Sequence, residues 1–278
     1  MIITKNEYLK NWTNYKIGGK APMFYLVEER QDLDKIEDLQ NIYILGGGTN
    51  ILVSDIDLDR PVVKIGFIHS SIQKDRVIVG AGQNLNEFSF LLAANGYSGL
   101  DNVAGIPGTI GGGIVMNASA SHGAISDTLL SVQAYSRITR EYRDFQKNEC
   151  GFGFRQSIFK KDWIVTSAQF SIKKGEPNAL LNSWSASNKW REQNYPLIFP
   201  SAGCWFARDW GGRSIIEKIG MSGKINNKAV VSPMFPAFIL NTGGATAKDI
   251  YSLVQEIQEK ADQIGERMPL EVIIWGKI

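Results

Sequence analysis

From Asn102 to Ser126 the chain runs without one Asp, Glu, Lys or Arg, its longest uncharged stretch. Length alone would permit a membrane span. The stretch nevertheless holds six glycines, Pro107 and several Ser and Asn residues, a composition that would leave backbone polar groups unsatisfied in lipid. It reads as a loop-rich segment, with no membrane insertion. Its glycines cluster in Ala104-Gly105-Ile106-Pro107-Gly108-Thr109-Ile110-Gly111-Gly112-Gly113, and a second glycine run, Gly46-Gly47-Gly48-Thr49-Asn50, lies between the apolar runs NIYIL and ILVSD. Glycine lets backbone pass close to a ligand and turns successive N–H groups toward one point. Either loop alone could be a tight turn at a strand end. The pair points to a large anionic cofactor held without a cluster of lysines.

Charge and residue counts narrow the class further. The formal net charge is only +2, so nothing overall asks for nucleic acid or an anionic membrane. Cys150 and Cys204 are too few for a disulfide framework, and MIITKNEYLK lacks the basic-then-apolar pattern of a signal peptide. A cytoplasmic location is expected. The two histidines, His69 and His122, are far apart with no HExxH or CxxC nearby, so neither a metal site nor a Ser-His-Asp triad is expected. Neither G-x-x-x-x-G-K-[ST] nor a strand-to-helix G-x-G-x-x-G occurs, which weakens P-loop and Rossmann readings.

The organisation is mixed. NIYIL, ILVSD, Pro61–Ile68 and Arg76–Ala81 have the texture of strands. Asn84 and Glu87 stand at capping-box spacing before FSFLLAAN, with Gly96 closing the helix. A second helix is predicted over Ala247–Ile264, with Ile250, Leu253, Val254, Ile257 and Ala261 on one face, Thr246 as N-cap and Gly265 past the end. LEVIIW reads as a final strand, and the polar, proline-bearing stretch near 174–200 as a domain boundary. With no fixed-period repeat, the class is α+β.

The segments NWTNYKIGGKAPMFYLVEE, ILGGGTNILVSD, VGAGQNLNEFSFLLAANGYSGLDNVAGIPGTIGGGIVMNASA, CGFGFRQSIF, PSAGCWF, FILNTGGATAKDIYSLV and LEVIIWG resemble, in order, those of the UDP-N-acetylenolpyruvoylglucosamine reductase (MurB) family. The resemblance covers nearly the whole chain, and its length matches the shorter form without an inserted tyrosine loop. It implies a two-part FAD-binding domain of the MurB or vanillyl-alcohol-oxidase type, here 1–58 and 59–174, and a C-terminal α+β substrate domain, 175–278. It places non-covalent FAD on Gly46, Gly47, Gly48, Thr49, Asn50, Gly105, Pro107, Gly108, Thr109, Gly111, Gly112 and Asn117. It further implies a monomer of peptidoglycan precursor synthesis that takes hydride from NADPH and reduces the enolpyruvyl ether of a UDP-sugar to UDP-N-acetylmuramate.

Hydride addition at C3 of an enolpyruvyl group pushes charge onto its carboxylate and leaves C2 to be protonated, so the chemistry asks for a cation, an acid and a supporting carboxyl group. Arg155 in FGFRQS matches the family arginine at the carboxylate, Glu271 its catalytic glutamate, and Cys204 the position where most of the family has the serine that protonates C2. A thiol is a better acid than a hydroxyl and suits that role. Departures cluster after it: Ala207-Arg208-Asp209-Trp210 replaces a lysine and asparagine stretch, with Arg208 a candidate replacement cation for the substrate. Phe154, Val230–Pro236 and Ser121-His122-Gly123-Ala124 also differ from the family pattern. Two alternatives therefore stand beside the reductase: a related FAD oxidoreductase with another substrate, and a flavin-binding protein without turnover. The presence of Arg155, Cys204 and Glu271 together favours chemistry.

Overall fold

The computed structural model describes residues 1–120 and 123–278. The chain divides into two compact units, one of Met1–Thr4, Phe24–Gly47 and Arg60–Arg191, the other of Lys5–Met23, Gly48–Asp59 and Glu192–Ile278.

In the first unit, β-branched alternation builds an antiparallel sheet ordered Tyr142–Gln146, Leu129–Ser136, Trp163–Ser171, Arg76–Gly80, Ser70–Gln73. Val77, Val79, Ala168, Phe170, Val132 and Ala134 turn to its buried face. A second set of strands is parallel: Val62–Ile65 lies between Tyr43–Leu45 and the Phe24–Val27 portion of strand Lys20–Val27. Such strands are covered on both faces and read as continuous apolar runs, and Val62 and Val63 are fully buried. Helix α1 (Leu85–Ala94) begins where the Asn84 side chain accepts from the Glu87 N–H at 3.1 Å and buries Leu85, Phe88 and Leu92. Gly96, at φ +75°, turns the chain after it. Helix α2 (Ile110–Val115) contains the last three glycines of the Ala104–Gly113 run.

The polar stretch read as a boundary contains helix α3 (Pro177–Asn194), which buries no residue completely. No apolar stripe announces it in the sequence. Within the first unit it is held by directional contacts instead. Trp184 Nε1 donates to Ser89 Oγ at 3.0 Å, its ring meets Phe90 edge-on at 5.1 Å, and Asn86 Nδ2 donates to Asn188 Oδ1 at 3.1 Å.

The second unit holds an antiparallel sheet of Ile225–Asn226, Ala229–Val231 and Ile239–Asn241, a parallel pair of Ile51–Val53 with Ile273–Trp275, α4 (Arg213–Lys218) and α5 (Ala247–Gln263). Thr246 and Asp249 form a reciprocal capping box, and α5 buries Ile250, Leu253, Val254, Ile257 and Ala261, the face that periodicity predicts. Under it lies Tyr15, fully buried, whose hydroxyl donates to the Ile239 carbonyl and accepts from Trp205 Nε1, both at 2.7 Å. Among the described residues no helix is long and apolar enough to cross a membrane.

Candidate active-site elements in each unit

The two glycine loops touch in the first unit. Gly46 and Gly47 leave strand Tyr43–Leu45, while Gly108 and Thr109 enter α2. A Cβ on Gly47 would lie 2.6 Å from the Gly108 Cα, and one on Gly46 3.0 Å from Thr109 Oγ1. At Gly47 only bare backbone fits so close an approach. Thr109 also accepts from the Gly112 N–H at 3.3 Å, opening α2. Among the described residues, the Gly46 and Gly47 N–H groups donate to no backbone carbonyl, as expected of donors that meet an external anion.

The remaining predicted cofactor residues divide by their surroundings. Gly111 donates its N–H to the Ala81 carbonyl at 2.8 Å, and a Cβ there would meet the Ala81 Cβ at 2.8 Å, so its bareness serves close packing of α2 on the turn that follows strand Arg76–Gly80. Gly105, at φ +80°, donates to Asn86 Oδ1 at 2.6 Å and lies beneath Arg191 of α3. Pro107 is exposed beside it. Gly48, Thr49 and Asn50 belong to the second unit, where the Gly48 Cα faces the Trp12 carbonyl and Asn50 Nδ2 donates to the Glu271 carbonyl at 3.2 Å.

Asn117 sits at φ +44° with only 8% of its surface exposed. Its Nδ2 donates to the Gly153 carbonyl at 3.0 Å, whereas its Oδ1 is buried with no partner among the described residues. A buried carboxamide oxygen left unsatisfied costs free energy, and the N–H and O–H groups of a flavin are the kind of donor that would relieve it. The bare-backbone contact and this orphaned acceptor together fit FAD.

The same segment carries Arg155. Gly153 and Gln156 bridge to each other, Arg155 stands between them at φ +51°, and its Nη1 donates to Ser119 Oγ at 2.9 Å. Ser157 Oγ donates to the Val115 carbonyl at 2.8 Å. The arginine turn is thus tied at three points to the chain leaving α2.

In the second unit, backbone pairing brings Cys204 and Glu271 into one neighbourhood. Cys204 bridges to Phe238, Phe206 bridges to Leu270, and the Glu271 N–H donates to the Trp205 carbonyl at 2.8 Å. Glu271 does not share a strand face with Ile273 and Trp275 as the alternation suggests. The strand begins at Ile273, and Glu271 precedes it in the irregular stretch aligned by Asn50. Cys204 is half-buried against the cluster of Phe235, Ala237, Phe238 and Leu240. Gly211, at φ +64°, comes so near that a Cβ would lie 3.0 Å from the thiol sulfur. Arg208 Nη1 donates to Glu266 Oε2 at 3.1 Å and to the Arg267 carbonyl at 2.7 Å. His122 lies outside the described residues.

Two residues escape the sequence reading. Lys64 donates from Nζ to the Gly46 carbonyl at 2.8 Å, and Tyr15 braces Trp205, the neighbour of Cys204. A lysine inside the apolar run PVVKIGFI is a visible signal for the first; nothing local marks the second.

Known proteins align with both parts of the chain. Residues 194–275 match the family described as the UDP-N-acetylenolpyruvoylglucosamine reductase C-terminal domain, and residues 37–137 match an FAD binding domain. The UDP-N-acetylenolpyruvoylglucosamine reductase of Fervidobacterium nodosum is 33% identical, with 97% of this chain and 91% of that protein aligned. A reductase of the same name from Bacillus thuringiensis subsp. konkukian is 33% identical over 98% of this chain and 94% of its own length. The crystal structure of MurB from Thermus caldophilus superposes with a TM-score of 0.85 at 28% identity, covering 99% of this chain and 98% of that one. With relatives this similar over almost their full length, and with glycine loops and an orphaned acceptor that suit a flavin, the chain belongs to the UDP-N-acetylenolpyruvoylglucosamine reductase (MurB) family.

Proposed function

We propose that this protein is the FAD-dependent, NADPH-using reductase that converts UDP-N-acetyl-enolpyruvylglucosamine to UDP-N-acetylmuramate in peptidoglycan precursor synthesis, working as a cytoplasmic monomer. The observation that carries the reading is the contact of the two glycine loops at Gly47 and Gly108, within a chain whose curated relatives bear that reductase name. The division into flavin subdomains 1–58 and 59–174 and a substrate domain 175–278 goes with it.

When bound, FAD supplies hydride transfer in two halves, accepting from NADPH and delivering to the enolpyruvyl C3. Gly46, Gly47, Gly108, Thr109 and Gly112 would hold the cofactor through backbone, and Asn117 Oδ1 would accept a hydrogen bond from it. Arg155 takes the substrate carboxylate. Its guanidinium is planar and permanently charged, Ser119 fixes one nitrogen, and the fork carries the charge that builds on the carboxylate as C3 gains hydride. Cys204 then gives its S–H proton to C2. The S–H bond breaks, the C2–H bond forms, the carboxylate charge falls back, and the thiolate recovers a proton from water. Glu271 completes the field around this transfer, its backbone N–H held by the Trp205 carbonyl beside the thiol.

The test is anaerobic. The purified yellow protein is bleached with NADPH, then mixed with the enolpyruvyl UDP-sugar. Return of the oxidised flavin spectrum with that compound, and formation of the lactyl ether, is the expected result. A reduced protein indifferent to it would overturn the substrate assignment, and a protein that takes up no FAD would overturn the whole reading.

A further inference from the structure

Lys64 interrupts the strand Val62–Ile65, whose other members are all buried. Withdrawal from water pushes its ammonium below the ordinary lysine range, and no ion pair offsets this among the described residues. What meets the charge is backbone: Nζ donates to the Gly46 carbonyl at 2.8 Å and, at a longer 3.4 Å, to the Ile65 carbonyl. A cation taken out of water is costly, and carbonyl oxygens return only part of its hydration. Methionine would fill the same place without that cost.

Where the lysine points explains why the charge is kept. Gly46 is the first residue of the Gly46–Asn50 loop, and the peptide joining it to Gly47 is trans. In a trans peptide the C=O and N–H lie antiparallel. With the Gly46 carbonyl turned to Nζ, the Gly47 N–H faces the opposite way and, among the described residues, donates to no backbone carbonyl. Lysine grip and outward N–H are therefore two ends of one rigid plane. That plane has little freedom, since a Cβ on Gly47 would strike Gly108.

We propose that Lys64 is a positioning residue for the cofactor diphosphate: it locks the Gly46–Gly47 peptide with the Gly47 N–H presented to the anion, and its charge supports that anion from behind the loop. The inference rests on the FAD reading above and adds a side chain to a cradle otherwise built of backbone. It also carries a signature that a mere strut lacks. A strut, when cut, weakens the protein with or without ligand. A cation kept for an external anion weakens only the liganded protein, and its loss leaves the flavin-free form as stable or more so.

The experiment compares wild type, Lys64→Met and Lys64→Gln as full-length protein, first stripped of flavin and then titrated with FAD. Lys64→Met is expected to raise the FAD Kd on the order of tenfold to a hundredfold, the range of a charge-assisted contact, while the thermal midpoint of the flavin-free protein holds or rises. Lys64→Gln keeps a donor for Gly46 without the charge and should fall between the two, which also serves if the methionine variant fails to fold. An unchanged Kd in Lys64→Met, a wild-type Kd in Lys64→Gln, or a flavin-free midpoint that drops in both variants would each overturn the proposal. Failure of the wild type to take up FAD would count against the functional reading instead.

Discussion

The glycine cradle of the first unit is made of main chain, whereas the thiol and carboxylate of the second unit, like Arg155 and Asn117 elsewhere in the first, act through side chains. In that cradle, Gly47 passes against the Gly108 backbone at a distance no side chain allows, Gly46 lies close against Thr109 Oγ1, and the polar work falls to N–H groups. In the second, a thiol and a carboxylate stand on neighbouring segments joined by the Glu271-to-Trp205 hydrogen bond, above the buried Tyr15–Trp205 pair. Backbone sites tolerate almost no added volume but are indifferent to most side-chain chemistry. Side-chain sites behave in the opposite way.

The sharpest attempt to break that contrast is Gly47→Val. Its branched Cβ would sit 2.6 Å from the Gly108 Cα, and neither loop can retreat without opening the other. We expect purification without bound flavin, read as the flavin-to-protein absorbance ratio after gel filtration. The control is Gly203→Ala in the second unit, where φ is +77° but nothing lies within 4 Å of the added carbon. It should cost only the left-handed backbone penalty, about 1–2 kcal/mol, and keep its flavin. Full flavin occupancy in Gly47→Val would refute a cradle built by close backbone approach.

The same contrast governs what could be read in advance. Glycines that bare a backbone are visible as letters, and strands flanking them as apolar runs, so the Gly46–Asn50 loop and its neighbours are legible in the sequence. So is α5, because one face repeats at helical spacing and Thr246 and Asp249 cap it. Helix α3 is not legible, since Trp184 and Asn188 dock it by single directed bonds without an apolar stripe. Glu271 looked like a strand residue from alternation alone. The pairing that sets its conformation comes from Asn50 and Trp205, remote in sequence. Cys204 stands out only through the family resemblance, because nothing local in a sequence separates a reactive thiol from a packed one.

Next in expected size is Cys204→Ala, which probes the second unit's dependence on side-chain chemistry. Reduction by NADPH should stay near the wild-type rate while reoxidation by the enolpyruvyl substrate slows on the order of 10² to 10⁴, the loss associated with a positioned general acid. Cys204→Ser should recover part of it. Stopped-flow measurement of the two half-reactions decides the point, and unaltered reoxidation in the alanine variant would mark the thiol as packing only. Arg155→Lys asks for less. The charge remains and the fork is lost, so substrate reoxidation should fall about tenfold to a hundredfold, with flavin content and NADPH reduction unchanged. Equal turnover would remove Arg155 from the carboxylate.

The smallest expected effects are on stability, and they separate the two units by the sign of their pH dependence. Asp32, in the first unit, is almost fully buried. Burial alone would raise its pKa, but hydrogen bonds from the Lys35 ammonium, the amino terminus and the Glu29 and Glu28 N–H groups outweigh it and hold the carboxyl well below the usual range. A lowered folded pKa contributes stability above the unfolded value, near 4, that is lost as pH falls further. Tyr15, in the second unit, is shifted the other way: burial raises its hydroxyl above the ordinary tyrosine range despite bonds from Trp205 and the backbone. Its contribution is complete below about pH 10 and is lost as pH rises beyond that. At neutral pH, Asp32→Asn and Tyr15→Phe should each cost about 1–3 kcal/mol, since each leaves buried partners unsatisfied, the Trp205 indole N–H and the Ile239 carbonyl in the second case. Urea titrations across pH should then show the gap between wild type and Asp32→Asn closing in acid, and that for Tyr15→Phe closing only in alkali. Parallel pH profiles for the two variants would show that Asp32 and Tyr15 do not act through their ionisation, and a Tyr15→Phe variant as stable as wild type would show that the hydroxyl bridge to Trp205 contributes nothing to holding the segment that carries Cys204.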